Sequence, residues 1–269
     1  MTQKNKNIIY ILIPLLIVAT YSAVDRFSTD LFIYIASFYP KFINALNSSY
    51  SMMDTFITLV LLLVCFPIYK FLTKNKITLK PMDSKLILGC IPLSLALGGM
   101  SFIVLLIIEH FLVPFGILEK SFLDFTTMWD EVDNEAYFWV FLSIVFLGPI
   151  FEEILFRGII YNLLEKYKFG LFPAVVSGIL FGIWHGQPVQ TIYTALMGIV
   201  LGYVYMRTKN LFYPILLHIL NNLYSTLPPS LESDFIYTAI NYISILMVIP
   251  FVYILALDLI EYKKNNKLT

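Results

Sequence analysis

Charge is what this chain has least of. Asp, Glu, Lys and Arg together make up 13% of its 269 residues, about half the ~25% of a soluble domain. That scarcity excludes an ordinary soluble globular fold. The 18 acids and 18 bases cancel, so no excess of positive charge offers itself to nucleic acid. Cysteine is nearly absent: Cys65 and Cys90 sit in separate apolar runs without metal-ligand spacing. They form no disulfide framework and read as small buried core residues. Histidine occurs only at His110, His185 and His218. Internal repeats, low-complexity segments and linkers are missing too, so 1–269 reads as a single integral membrane domain.

What fills the chain instead is apolar: 59% hydrophobic residues and a mean hydropathy of +0.79. Eight hydrophobic runs stand out, at about 8–24, 52–72, 86–111, 136–164, 171–186, 190–206, 211–227 and 235–260. Most are near the ~20 residues that a spanning helix needs. The expected fold is all-α: a polytopic membrane protein, a bundle of about eight transmembrane helices. Lys4 and Lys6 ahead of the first run imitate a signal peptide, but no small-x-small cleavage site follows, so the run reads as a retained span. The aromatic-rich stretch 31–43, interrupted by Pro40, reads as an interfacial or re-entrant piece rather than a ninth span.

Basic residues set the expected orientation. Taken alternately, one set of gaps between runs holds 14 of the 18 Lys and Arg; the other holds Arg26, Lys41 and Lys120, and Arg157 lies inside a run. This bias puts both termini in the cytoplasm and the acid-rich gap 119–135, read as a solvated loop, outside. Glycine and alanine recur every four residues at Ala174, Gly178, Gly182 and Gly186, and again at Gly198 and Gly202. Small residues at that spacing let membrane helices pack closely.

Into this apolar background the stretch 151–157, Phe-Glu-Glu-Ile-Leu-Phe-Arg, places two acids and a base. Each charge at the bilayer centre costs about 2.5–3.5 kcal/mol even on lenient scales. On a helix, Glu153 and Arg157 share a face and can pair. Glu152 points about 100° away from Glu153, which leaves it free for chemistry. His185 closes Phe181-Gly-Ile-Trp-His, just ahead of Gly186 and Pro188, where the helix is expected to stop. His218 and Asn222, four apart, share one face of the seventh run, while Asn221 points elsewhere. A buried, water-accessible carboxylate beside imidazoles is equipment for activating water. His218 and Asn222 supply hydrogen bonds to a developing oxyanion. The chemistry expected is hydrolysis of a carbonyl compound within the membrane, with Glu153 and Arg157 in support. His110, beside Glu109 at a run's outer end, reads as a headgroup-level residue.

Glu152-Glu153-x-x-x-Arg157, Phe181-x-x-x-His185 and His218-x-x-x-Asn222, in that order on successive spans, resemble the CPBP family: type II CAAX prenyl endopeptidases and bacterial bacteriocin-processing or immunity proteins, also called Abi. The likeness covers 151–222, a little over a quarter of the chain, with the motif-bearing core at about 136–227. It implies an intramembrane endopeptidase whose cavity opens toward the cytoplasm. Carried over, Glu152 activates water, and His185, His218 and Asn222 complete the site. Family members are often labelled metalloproteases, yet Glu, His, His and Asn are not an ordinary zinc set, and His-Glu-x-x-His is absent. Glutamate-activated water is the expectation; a divalent metal such as zinc on Glu152, His185 and His218 is the open alternative. Expected partners are the lipid bilayer and a membrane-bound peptide or lipidated protein, with no nucleic acid. Peptide pheromone or bacteriocin processing and self-immunity fit the family. The Lys-, Asn- and Ile-rich composition suggests a low-GC bacterium, hence a bacterial cell membrane. Rival readings are a proton-coupled transporter, whose inverted repeats are not visible, and a non-catalytic scaffold or immunity factor.

Overall fold

The computed structural model describes residues 3–47, 49–73, 83–168 and 170–265. These form ten helices and no strand: α1 Gln3–Ser37, α2 Pro40–Asn47, α3 Tyr50–Leu72, α4 Ser84–Phe115, α5 Glu119–Asp133, α6 Tyr137–Glu165, α7 Leu171–Trp184, α8 Pro188–Thr208, α9 Phe212–Ser225 and α10 Asp234–Asn265. All eight apolar runs are helical. Helix is what lipid demands, because every backbone N–H and C=O must be satisfied within the segment. Five helices (α3, α4, α6, α8 and α10) are long and apolar enough to cross a membrane. α7 and α9 have 14 residues each, about 21 Å at 1.5 Å per residue, short of the ~30 Å hydrocarbon core. Neither is long enough to cross it alone.

Two expectations change. The stretch 31–43 is not a separate interfacial piece: α1 runs on to Ser37, and α2 starts at Pro40, whose fixed φ suits the first turn of a helix. The gap 119–135 is not a plain loop but the amphipathic helix α5. It buries Phe125 beside Ile108 and Val189, with the Phe125 and Tyr193 rings 5.9 Å apart. Lys74, Lys76, Lys80 and Lys267, part of the charge bias, lie outside the described residues.

The core sits around α6, where every side chain from Ile154 to Tyr161 is buried. This helix widens into π-helical turns over Phe141–Leu147 and Ile154–Tyr161, on either side of Gly148–Glu153. Pro149 explains the first widening. It has no N–H to donate, and Gly148 N–H reaches back to Ser143 O instead of Ile144 O. The Ile144 carbonyl is thereby freed from the helix. α7 and α8 meet at the expected small residues: a Cβ on Gly178 would run into the backbone of Gly198 and Ile199, and one on Gly182 into Thr191 and Ala195. Cys65 and Cys90 are buried, unpaired core residues, as expected.

Candidate active site

Glu152 and Glu153 are adjacent in sequence but live in different surroundings. Glu153 is fully buried and accepts a hydrogen bond from Arg157 Nη1 at 2.8 Å, one helical turn on. Arg157 Nη2 donates to Gly198 O at 2.6 Å, and its guanidinium lies over the Phe181 ring at 5.0 Å. That contact requires α8 to come close, which the small residues of α7 and α8 permit. The predicted i, i+4 pair is therefore formed, and it is sealed from water. The Glu152 side chain keeps 18% of its surface accessible and lines a cavity of about 670 Å³.

His218 stands between the two acids. Its Nδ1 lies 3.1 Å from Glu153 Oε1 and its Nε2 lies 3.6 Å from Glu152 Oε2. Glu153 Oε1, already facing a guanidinium, acts as an acceptor, so Nδ1 carries the hydrogen and Nε2 presents a lone pair toward Glu152. At 3.6 Å the second approach is too long for a direct hydrogen bond and leaves room for a shared water. His185 is fixed the same way: its Nδ1 donates to Phe181 O at 2.9 Å. The Phe181 ring packs edge-on against both imidazoles, with centroids at 4.8 and 5.7 Å. As expected, the helix ends here, with Gly186 at φ 71° and Pro188 opening α8.

Asn222 donates from Nδ2 to Ile144 O at 2.8 Å, the carbonyl that Pro149 released. One Nδ2 hydrogen of Asn222 remains for another acceptor. Asn221, expected to point away, lines the same cavity and donates to Asn222 Oδ1 at 3.2 Å. Adjacent residues share the site because the cavity wraps round α9, from Ile144 on α6 to Gly98 on α4. Of the sequence-derived site residues, Glu152, His185, His218 and Asn222 line the cavity, and Glu153 and Arg157 support it from behind. His110 takes no part: it pairs with Glu109 at 3.7 Å on an exposed surface.

Residues missed from sequence also line the cavity, notably Asp25, Asp54 and Ser143. The signal for Asp54 was present, an acid three residues inside a spanning run. The cavity reaches Tyr50 at the start of α3 and Met128 within α5, on the lysine-poor side of the bundle. α5 roofs it: Ser121 accepts from Gln187 Nε2 through its carbonyl at 3.0 Å and from Val189 N through Oγ at 3.1 Å.

Both imidazoles turn an Nε2 lone pair away from a bound Nδ1, and a carboxylate stands near one of them, which is the donor chemistry of a zinc site. The donors are nevertheless not gathered: among the described residues no three His, Cys, Asp or Glu side chains are grouped to hold a metal ion. As arranged, the described residues do not fit one.

Residues 134–224 match the family described as "Type II CAAX prenyl endopeptidase Rce1-like", a stretch containing all seven motif residues. The chain is also similar to a Bacillus subtilis (strain 168) protein named "Putative membrane peptidase YdiL", with 39% identity over 77 residues. That alignment covers 28% of this chain and 31% of the relative, so only about a third of the relative's length is spanned. No solved structure matches the chain.

Proposed function

We propose that the protein is an intramembrane endopeptidase using glutamate-activated water, on the premise that residues 134–224 match the type II CAAX prenyl endopeptidase family model. The observation that carries this is Glu152, an accessible acid at 3.6 Å from an imidazole whose other nitrogen is anchored by a sealed Glu–Arg pair. Water held between Glu152 Oε2 and His218 Nε2 attacks the scissile carbonyl carbon and gives its proton to Glu152. The oxygen of the tetrahedral intermediate takes the remaining Nδ2 hydrogen of Asn222. Glu152 then passes its proton to the amide nitrogen as the C–N bond breaks, releasing an amine and a carboxylic acid. This departs from the expectation that His218 donates to the oxyanion, because its N–H is committed to Glu153. His185 borders the same water space and accepts through Nε2.

The substrate class this favours is a membrane-associated or lipidated peptide reached from the outer, lysine-poor side, such as an exported pheromone or bacteriocin precursor. The test compares membrane and secreted peptidomes of wild-type cells and cells carrying Glu152→Gln at equal abundance. Peptides that disappear with the variant support the reading; two identical peptidomes sink it. Exhaustive chelation of the purified protein separates the two chemistries: activity should persist, and its loss and recovery on adding zinc would replace glutamate-activated water by a metal route.

A further inference from the structure

The cavity extends well beyond Glu152. Its wall runs along α3 through Asp54, Thr58 and Leu61, spaced to share one helix face, and onto α1 at Asp25. Neither acid lies within 134–224 or belongs to the motif. Asp54 is partly buried, and its neighbours Ser51, Met52, Met53 and Thr55 are buried. Its carboxylate has no hydrogen-bond donor and no ion-pair partner among the described residues. The charges acting most on it are acids, Asp25 and Glu135.

Neither Asp54 nor Asp25 has an ion-pair partner among the described residues. Glu135 is taken up by the start of α3, accepting from Ser49 Oγ at 2.8 Å, Tyr50 N at 3.1 Å and Ser51 N at 2.8 Å. Arg26, next to Asp25 on α1, is exposed and forms no ion pair among the described residues. On α6, Ser143 lines the same cavity; it is 1% exposed and its Oγ has no partner. A carboxylate in apolar surroundings among like charges is costly until a cation or donors meet it. At α5 the cavity wall is apolar, formed by Leu105, Phe125, Met128 and Trp129.

We propose that Asp54, with Asp25 beside it, is a cation-recognition subsite of this cavity: it takes the ammonium or guanidinium group of a substrate peptide, while the wall under α5 takes the peptide's apolar side chains. The proposal rests on the peptidase reading for its substrate class, but its test does not need cleavage. A Lys or Arg side chain and a free N-terminal amine present the same chemistry, and the test separates them.

Purified full-length protein carrying Glu152→Gln is titrated with dansylated hexapeptide amides that are apolar except for one Lys or norleucine, each with a free or an acetylated N-terminus. The fluorophore is carried on a side chain. The cation-bearing peptides should bind about tenfold tighter than the acetylated norleucine peptide. Asp54→Asn in the same background should erase that preference and Asp54→Glu should retain it. A preference confined to the free-amine pair assigns the N-terminus; one that survives acetylation assigns the side chain. If the acetylated norleucine peptide binds as tightly as the others, or if the preference survives Asp54→Asn, the proposal falls. Should Asp54→Asn not fold, replacing Lys by Glu in the acetylated peptide decides, since it should bind weakest of all. Failure of the peptidase reading is seen separately, as unchanged peptidomes alongside an intact lysine preference.

Discussion

The two halves of α6 handle charge in opposite ways. Toward the lysine-rich end, Ile154–Tyr161 is wholly buried, and Arg157 is matched by Glu153, a backbone carbonyl and an aromatic face. Toward the lysine-poor end, Phe141–Glu152 borders a cavity in which Glu152 keeps accessible surface and Asp54 keeps no partner. The same residue type is mortar in one half and reagent in the other. What separates them is about 100° of rotation around one helix and the presence or absence of a close helix behind it.

The largest break in that contrast is expected from Glu152→Gln. It should cost about 10²–10⁴-fold in peptide hydrolysis, the range for a positioned general base, with the thermal unfolding midpoint in detergent unchanged. Arg157→Ala should do the reverse: about 3–5 kcal/mol of stability lost, because Glu153 is left buried without its guanidinium partner, read as a lower midpoint and reduced membrane abundance. If Arg157→Ala folded normally and lost only activity, the sealed half would have to be redrawn as part of the site. Asn222→Ala should lower turnover by about 10²-fold, as for loss of an oxyanion donor, measured as kcat on any peptide that Glu152→Gln spares. Removing the α3 cap with Glu135→Leu should cost about 1 kcal/mol, visible as a small drop in midpoint. His110→Ala, on an exposed surface, should stay within about 0.5 kcal/mol of wild type and leave hydrolysis untouched.

Much of this was legible in the residues alone. Apolar runs located every helix later seen in the membrane set, because hydropathy and backbone hydrogen bonding together leave lipid-embedded chain little choice. The Glu153–Arg157 pair followed from i, i+4 geometry, and the stop after His185 from Gly186 and Pro188. Other features had no local signature. α5 was hidden because its acids mask an apolar face whose partners, Ile108 and Val189, are far away in sequence. Asn221 misled because the cavity wraps far enough round α9 to take in adjacent positions of the helix. Asp54 stood in plain view in the second run, yet nothing nearby in sequence pairs with it, and its relevance lies in facing Glu152 across space.

By itself, then, the sequence determined that this chain lives in a bilayer, which segments are helical, and which acid has a partner one turn away, since all of these follow from composition and short-range periodicity. Tertiary structure alone decided that His218 bridges both glutamates, that the carbonyl released by Pro149 is claimed by Asn222, and that the cavity faces the lysine-poor side. Those outcomes depend on how helices far apart in the chain close against one another, and packing of that kind leaves no mark at the spacing of a single turn.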